Sequence, residues 1–141
     1  MISALLCIAF ILAIVCADFS GSWIMKNALQ DGFPVGVPRG MVALLLVKDS
    51  ENGNYNIHIH AANRINGRMI VRKEVSNTTS VVRFKGVTST RMKPSRMFAP
   101  IERFLTQSIS KMTRVTLKKS GSLSWKGPNT TAIFIPDKNE E

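Results

Sequence analysis

Beyond residue 16 the chain has no cysteine; Cys7 and Cys16, its only two, both fall within residues 1–17. The remainder can form no disulfide and offers neither a thiol nucleophile nor a thiolate to zinc. Acidic residues are scarce, 9 against 19 Lys and Arg, and no pair is spaced for joint acid–base work. Nucleophile motifs and glycine-rich phosphate loops are missing. An enzyme is therefore the least expected class, and no cofactor is expected. The basic–aromatic interleaving of an RNA-binding sheet is absent too, so no nucleic-acid partner is expected. No repeat or low-complexity segment interrupts the 141 residues, a length that suits one domain and a monomer.

Charge is missing altogether from residues 1–17, which are nearly all apolar. The run Leu5 to Val15 has the length of a signal-peptide core, and Val15 and Ala17 are small enough for the positions before a cleavage site. Cleavage after Ala17 and passage through the secretory route are expected. The leader carries no basic residue at its start, so the alternative is an anchor retained through residues 1–17. The run is nevertheless shorter than the ~20 residues a spanning helix needs. Ile14-Val15-Cys16 is a poor lipidation site. Two triplets, Asn77-Thr78-Thr79 and Asn129-Thr130-Thr131, lie in predicted turns and are candidate glycan acceptors. The folded domain is expected over 18–135, with a charged, frayed tail at 136–141.

Because the leader is uncharged, the net charge of +10 belongs to the domain. It favours anionic partners such as phospholipid head groups, sulfated glycans or acidic proteins. A membrane-bound form is expected only if the leader is kept. The cations that carry the attraction are Arg68, Arg72, Lys73, Arg83, Lys85, Arg91, Lys93 and Arg96.

Periodicity predicts a β-rich α+β fold. A first strand starts at Gly21-Ser22-Trp23, a G-x-W opening shared by many small antiparallel barrels. Gly32 to Gly40 reads as a loop, Met41 to Val47 as a buried strand, and Asp49 to Asn54 as the turn to a strand over Tyr55 to Ala61. In that strand Ile57 and Ile59 face one way, His58 and His60 the other. Two histidines on one strand face make weak metal candidates, with no third ligand in sight. Ala61 to Gly67 reads as a turn, followed by strands at Arg68 to Val75 and Val81 to Val87. Arg83 and Lys85 share a face opposite Val82 and Phe84. Ile101, Phe104, Leu105, Ile109 and Met112 then form the stripe of an amphipathic helix over about 99–112, with Pro100 in its first turn and Glu102 pointing away. Three strands follow, at Thr113 to Lys118, Ser122 to Trp125 and Thr131 to Ile135. The expected architecture is a compact antiparallel sheet or open barrel of about seven to eight short strands, with one helix before the last three.

This order resembles the META/HslJ domain family. Ala62-Asn63-Arg64-Ile65-Asn66-Gly67 is similar to its first glycine-ended turn, Thr90-Arg91-Met92 to its T-R-M motif, and Glu102, Phe104 and Leu105 to its following helix. Ser122 to Lys126 fits its penultimate strand, so the resemblance spans about the whole mature chain. Where bacterial members often carry cysteines, this chain has Ala62 and Lys93-Pro94, which is closer to the kinetoplastid type. The resemblance implies a β-rich, secreted or surface-exposed protein with a stress- or virulence-associated role and no established catalysis. It implies structural roles for Asn63, Gly67, Thr90, Arg91 and Met92. Asn63 and Gly67 suit a tight turn with positive φ, Met92 suits the core, and Thr90 and Arg91 suit a surface. Arg91 is the one to test for binding. The leading function is a non-enzymatic binding domain for an anionic partner. The alternatives are a lipocalin-like carrier of a small apolar ligand and a small protease-inhibitor-like scaffold.

Overall fold

A computed structural model describes residues 17–37 and 43–138. Residues 1–16 of the leader expected over 1–17, with both cysteines, the end of the loop expected over Gly32 to Gly40, the start of the strand expected at Met41, and the end of the tail lie outside the described residues. The elements are β1 (Gly21–Gln30), β2 (Phe33–Pro34), β3 (Leu44–Asp49), β4 (Tyr55–His60), β5 (Arg64–Glu74), β6 (Thr79–Ser89), α1 (Ala99–Ser108), β7 (Arg114–Leu117), β8 (Leu123–Gly127) and β9 (Thr130–Pro136). One 3-10 turn lies at Glu51–Gly53, and another, Ile109–Lys111, prolongs α1. Among the described residues no helix is long and apolar enough to cross a membrane.

Every pairing is antiparallel, and β1 pairs with β3 on one side and β9 on the other. That second pairing closes eight strands into a barrel, with the short β2 hairpinned onto the end of β1. Alternation sets which side chains enter it: Tyr55, Ile57 and Ile59 point in and are buried, while Asn56, His58 and His60 point out. In β1, Met25 and Ala28 are both buried although three apart, because a bulge between Met25 and Asn27 shifts the phase. The centre is aromatic. The rings of Phe84 and Phe134 each lie 4.9 Å from that of Trp125, tilted rather than stacked. A fully buried side chain of this size contributes about 1.5–3 kcal/mol, so this trio is a large part of the core.

The chain reverses at each strand, so the β1–β3 connection, the β4–β5 turn, the β6–β7 crossover and the β8–β9 turn all lie at one end of the barrel. α1 belongs to that crossover. Its Glu102 bonds to Asn63 in the β4–β5 turn, and Lys111 and Met112, at the end of its 3-10 extension, press on Gly127 beside the β8–β9 turn. The helix therefore spans this end, with Ile101, Phe104, Leu105 and Ile109 buried beneath it.

The β-rich antiparallel architecture with one helix before the last three strands is as expected, and its details differ. The barrel is closed, and β1, β5 and β6 are long rather than short. The loop expected over Gly32 to Gly40 contains β2. The turn expected over Ala61 to Gly67 ends early, because β5 starts at Arg64. Ile65 is fully buried and pairs with Ile59, so burial of one large side chain outweighs the turn signal of Asn66-Gly67. Gly67 is a strand residue without positive φ; a Cβ there would lie 3.2 Å from Val87 Cγ2. The positive φ belongs to Gly86 across the ladder, at +61°, where β6 carries an extra residue opposite Gly67. The expected tail is ordered at its start: Pro136 ends β9, and the Asp137 N–H donates to Ser22 O at 3.0 Å.

Candidate functional site

Four of the residues that carry the family resemblance, Asn63, Thr90, Met92 and Glu102, meet at the helix-covered end of the barrel. Asn63 is only 6% exposed, and its side chain ties three segments together. Its Oδ1 accepts from the Met92 N–H at 2.8 Å and from Thr90 Oγ1 at 2.9 Å. Its Nδ2 donates to Met92 O at 2.9 Å and to Glu102 Oε2 at 3.2 Å. The Asn63 backbone N–H donates to Glu102 Oε1 at 2.7 Å. Thr90 Oγ1 also accepts from the Arg64 N–H at 3.0 Å. Asn63 thus treats the Met92 peptide as a strand partner would, saturating its amide with donors and acceptors.

Three positions correct the sequence reading. Glu102, expected on the solvent side of the helix, is 3% exposed. Met92, expected in the core, is 69% exposed, because its backbone rather than its side chain is what the hub holds. Asn63 itself does not adopt positive φ. The signal for Glu102 was a carboxylate at the border of the apolar stripe, adjacent to Leu105 and Ile109 on the helical projection.

Two open clefts flank the hub. One, of about 410 Å³, is lined by Asn63, Thr90, Lys93, Glu102, Arg103 and Gln107 among others. The other, of about 580 Å³, is lined by His60, Ala61, Ala62, Arg64, Thr90 and Met92. The carboxylate of Glu102 is occupied by Asn63, so the exposed charges facing these clefts are cationic. A third cleft, about 440 Å³, lies outside the barrel against β1 and β9 and is more apolar, with Leu29, Val35, Val37 and Ile133 in its walls.

The expected basic face divides in two. Arg68, Arg72, Lys73, Arg83 and Lys85 lie exposed along the β5–β6 ribbon, and Arg91, Lys93 and Arg96 lie exposed in the segment entering α1. On the ribbon Arg68 stands directly opposite Lys85, and Arg83 opposite Ile70. Lys73 follows a bulge that makes Arg72 the extra residue. Arg83 and Lys85 do share the face opposite Val82 and Phe84, which are buried.

The remaining candidates fall elsewhere. His58 and His60 are on the outer face of β4, with His58 Nδ1 2.6 Å from Asn66 Oδ1. Among the described residues no three His, Cys, Asp or Glu side chains converge as a metal site would require. Asn77 is exposed in the β5–β6 turn; Asn129 is exposed in the β8–β9 turn with φ of 57°.

Sequence reading also passed over Tyr55, at the opposite end of the barrel. Its ring packs 5.8 Å from that of Phe19. Its hydroxyl donates to Ala17 O at 3.4 Å and accepts from the Phe19 N–H at 3.5 Å. Burial raises its pKa above the ordinary 10.0, the charges of Asp18, Asp49 and Glu74 add to the rise, and the Phe19 N–H opposes it. The folded state thus keeps the phenol proton where the unfolded chain releases it. The stability this gives is complete below pH 10.0 and declines as pH rises through the folded-state value. As the chain has a single tyrosine, phenolate absorbance reads this residue alone. The ionisation midpoint of the folded protein is expected above that of the urea-unfolded chain; coincident midpoints would contradict the burial of the hydroxyl.

No protein-family model matches the chain, and no curated protein matches it. Among solved structures it is similar to a protein from Burkholderia xenovorans determined by NMR, with a TM-score of 0.57 and 17% identity over 84% of this chain and 83% of that one. At that identity the likeness carries the barrel architecture alone.

Proposed function

We propose that the chain is a secreted, non-enzymatic META/HslJ-like β-barrel domain that binds an anionic partner through its basic outer surface. The family reading is supported by the way Asn63, Thr90, Met92 and Glu102, scattered along the sequence, join in one hydrogen-bonded hub. The binding reading rests above all on Arg68 and Lys85. Like charges directly opposite on neighbouring strands are destabilising, and Arg83 shares the same face of β6 with Lys85. A bound anion would relieve that cost. Attraction of this kind is screened by salt over roughly 8–10 Å near physiological ionic strength.

The test expresses the full chain in a eukaryotic cell and loads the released product on heparin. The expected product reaches the medium and elutes at higher salt than an unrelated protein of equal net charge. Co-elution with that protein would reduce the attraction to net charge, and retention of the product inside the cell would contradict the secretory reading. A second reading, a carrier of a small apolar ligand, is favoured by the closed barrel. Buried side chains occupy the interior of that barrel, so the apolar cleft beside β1 is the place such a ligand would use.

A further inference from the structure

The segment between the hub and α1 combines exposed methionines, which the ribbon lacks, with exposed cations. Met92 and Met97 are 69% and 66% exposed, among the largest exposures of any apolar side chain in the described residues. Arg91, Lys93 and Arg96 alternate with them and are all exposed. No acidic residue occurs from Thr90 to Ile101, and the first to follow, Glu102, is buried against Asn63.

The segment is also held in place. At one end both backbone groups of Met92 bond to the Asn63 side chain. At the other, Ser95 O accepts from the Phe98 and Ala99 N–H groups at 3.0 Å each, which fixes the turn into the helix. The methionines are therefore displayed from a fixed platform at the end of the barrel.

We propose that this segment docks the domain on an anionic phospholipid bilayer, with Met92 and Met97 entering the acyl boundary and Arg91, Lys93 and Arg96 pairing with head-group phosphates. The inference rests on the anionic-partner reading and names the partner. Charge complementarity decides the occupant. A purely apolar protein groove would leave three cations without partners, whereas a head-group layer supplies acidic groups beside an apolar boundary within the length of one side chain. Unbranched, flexible methionine suits a fluid boundary that has no fixed shape to match.

The experiment uses the full chain with vesicles of phosphatidylcholine alone or mixed with phosphatidylserine, each prepared with and without brominated acyl chains. Trp23 and Trp125 are buried, so the indole introduced by Met97→Trp reports on insertion at that position. Its fluorescence is expected to be quenched by brominated vesicles only when phosphatidylserine is present. Met92→Ser/Met97→Ser is expected to lower partitioning into those vesicles about tenfold at unchanged thermal stability, the loss scaling with the apolar area withdrawn. Lys93→Glu/Arg96→Glu is expected to abolish it. No quenching, or binding that ignores the methionines, would overturn docking by this segment. Heparin retention of the Met92→Ser/Met97→Ser protein is expected to stay at the wild-type value. If vesicle docking fails while that retention persists, the anionic-partner reading stands without a membrane; if retention fails too, both fall.

Discussion

Replacing Asn63 by alanine is expected to lower the stability of the domain by about 3 kcal/mol, the largest single effect of any polar position here. The substitution removes four side-chain hydrogen bonds at once, to Met92 N, Met92 O, Thr90 Oγ1 and Glu102 Oε2. It leaves the Glu102 carboxylate buried with only the Asn63 backbone N–H still bonded to it. An unsatisfied buried polar group costs roughly 1–3 kcal/mol, more when charged, and water reaching the exposed Met92 segment offsets part of the sum. For a domain of this size the midpoint of thermal unfolding should fall by about 10 °C. Glu102→Gln is the informative companion. Its carbonyl can still accept from the Asn63 N–H, but its amide would set a donor against Asn63 Nδ2. A smaller loss, about 1–2 kcal/mol, is expected. A neutral Asn63→Ala would mean that the hub is not what joins the β4–β5 turn to α1.

The second large effect is steric. A Cβ at Gly127 would sit 2.5 Å from the Lys111 carbonyl oxygen and 3.0 Å from Met112 Cα. Both are backbone atoms at the end of the helical crossover, so no side chain can swing aside to make room. Gly127→Ala is expected to cost about 2–4 kcal/mol by forcing the crossover away from β8. Gly36→Ala is the control, since no atom lies within 4 Å of a Cβ there. Urea unfolding midpoints compare the two: a large downward shift is expected for Gly127→Ala and almost none for Gly36→Ala. Equal midpoints would contradict the close approach of the helix end to the barrel.

Much of the architecture was legible because it is local. Alternation in Tyr55 to His60 and in Val81 to Lys85 reports which side chains enter the core, and the spacing of Ile101, Phe104, Leu105 and Ile109 reports a helix. Closure was not legible. It depends on β1 meeting β9 across nearly the whole chain, and on a bulge that keeps Met25 and Ala28 on the same side. Asn66-Gly67 has the chemistry of a turn, yet the burial of Ile65 holds it in a strand. The hub was half legible: the motif residues were singled out, but the roles of Met92 and Glu102 were exchanged. A methionine held by its backbone and a buried carboxylate hydrogen-bonded by an asparagine both break the rule that apolar means inside and charged means outside. The division of the basic surface depended on knowing where β6 ends and the segment before α1 begins.

The measurement that tests the central claim most directly compares two double charge reversals of equal size in one salt titration on heparin. Arg68→Glu/Lys85→Glu alters the middle of the ribbon, and Lys118→Glu/Lys119→Glu alters the exposed β7–β8 turn, at the end of the barrel that α1 does not cover. Both change net charge by the same amount. If the β5–β6 face is the binding surface, the ribbon variant should elute at much lower salt than the turn variant, which should fall only as far as net charge dictates. Equal losses from the two would mean that position is irrelevant and that the basic surface binds nothing in particular.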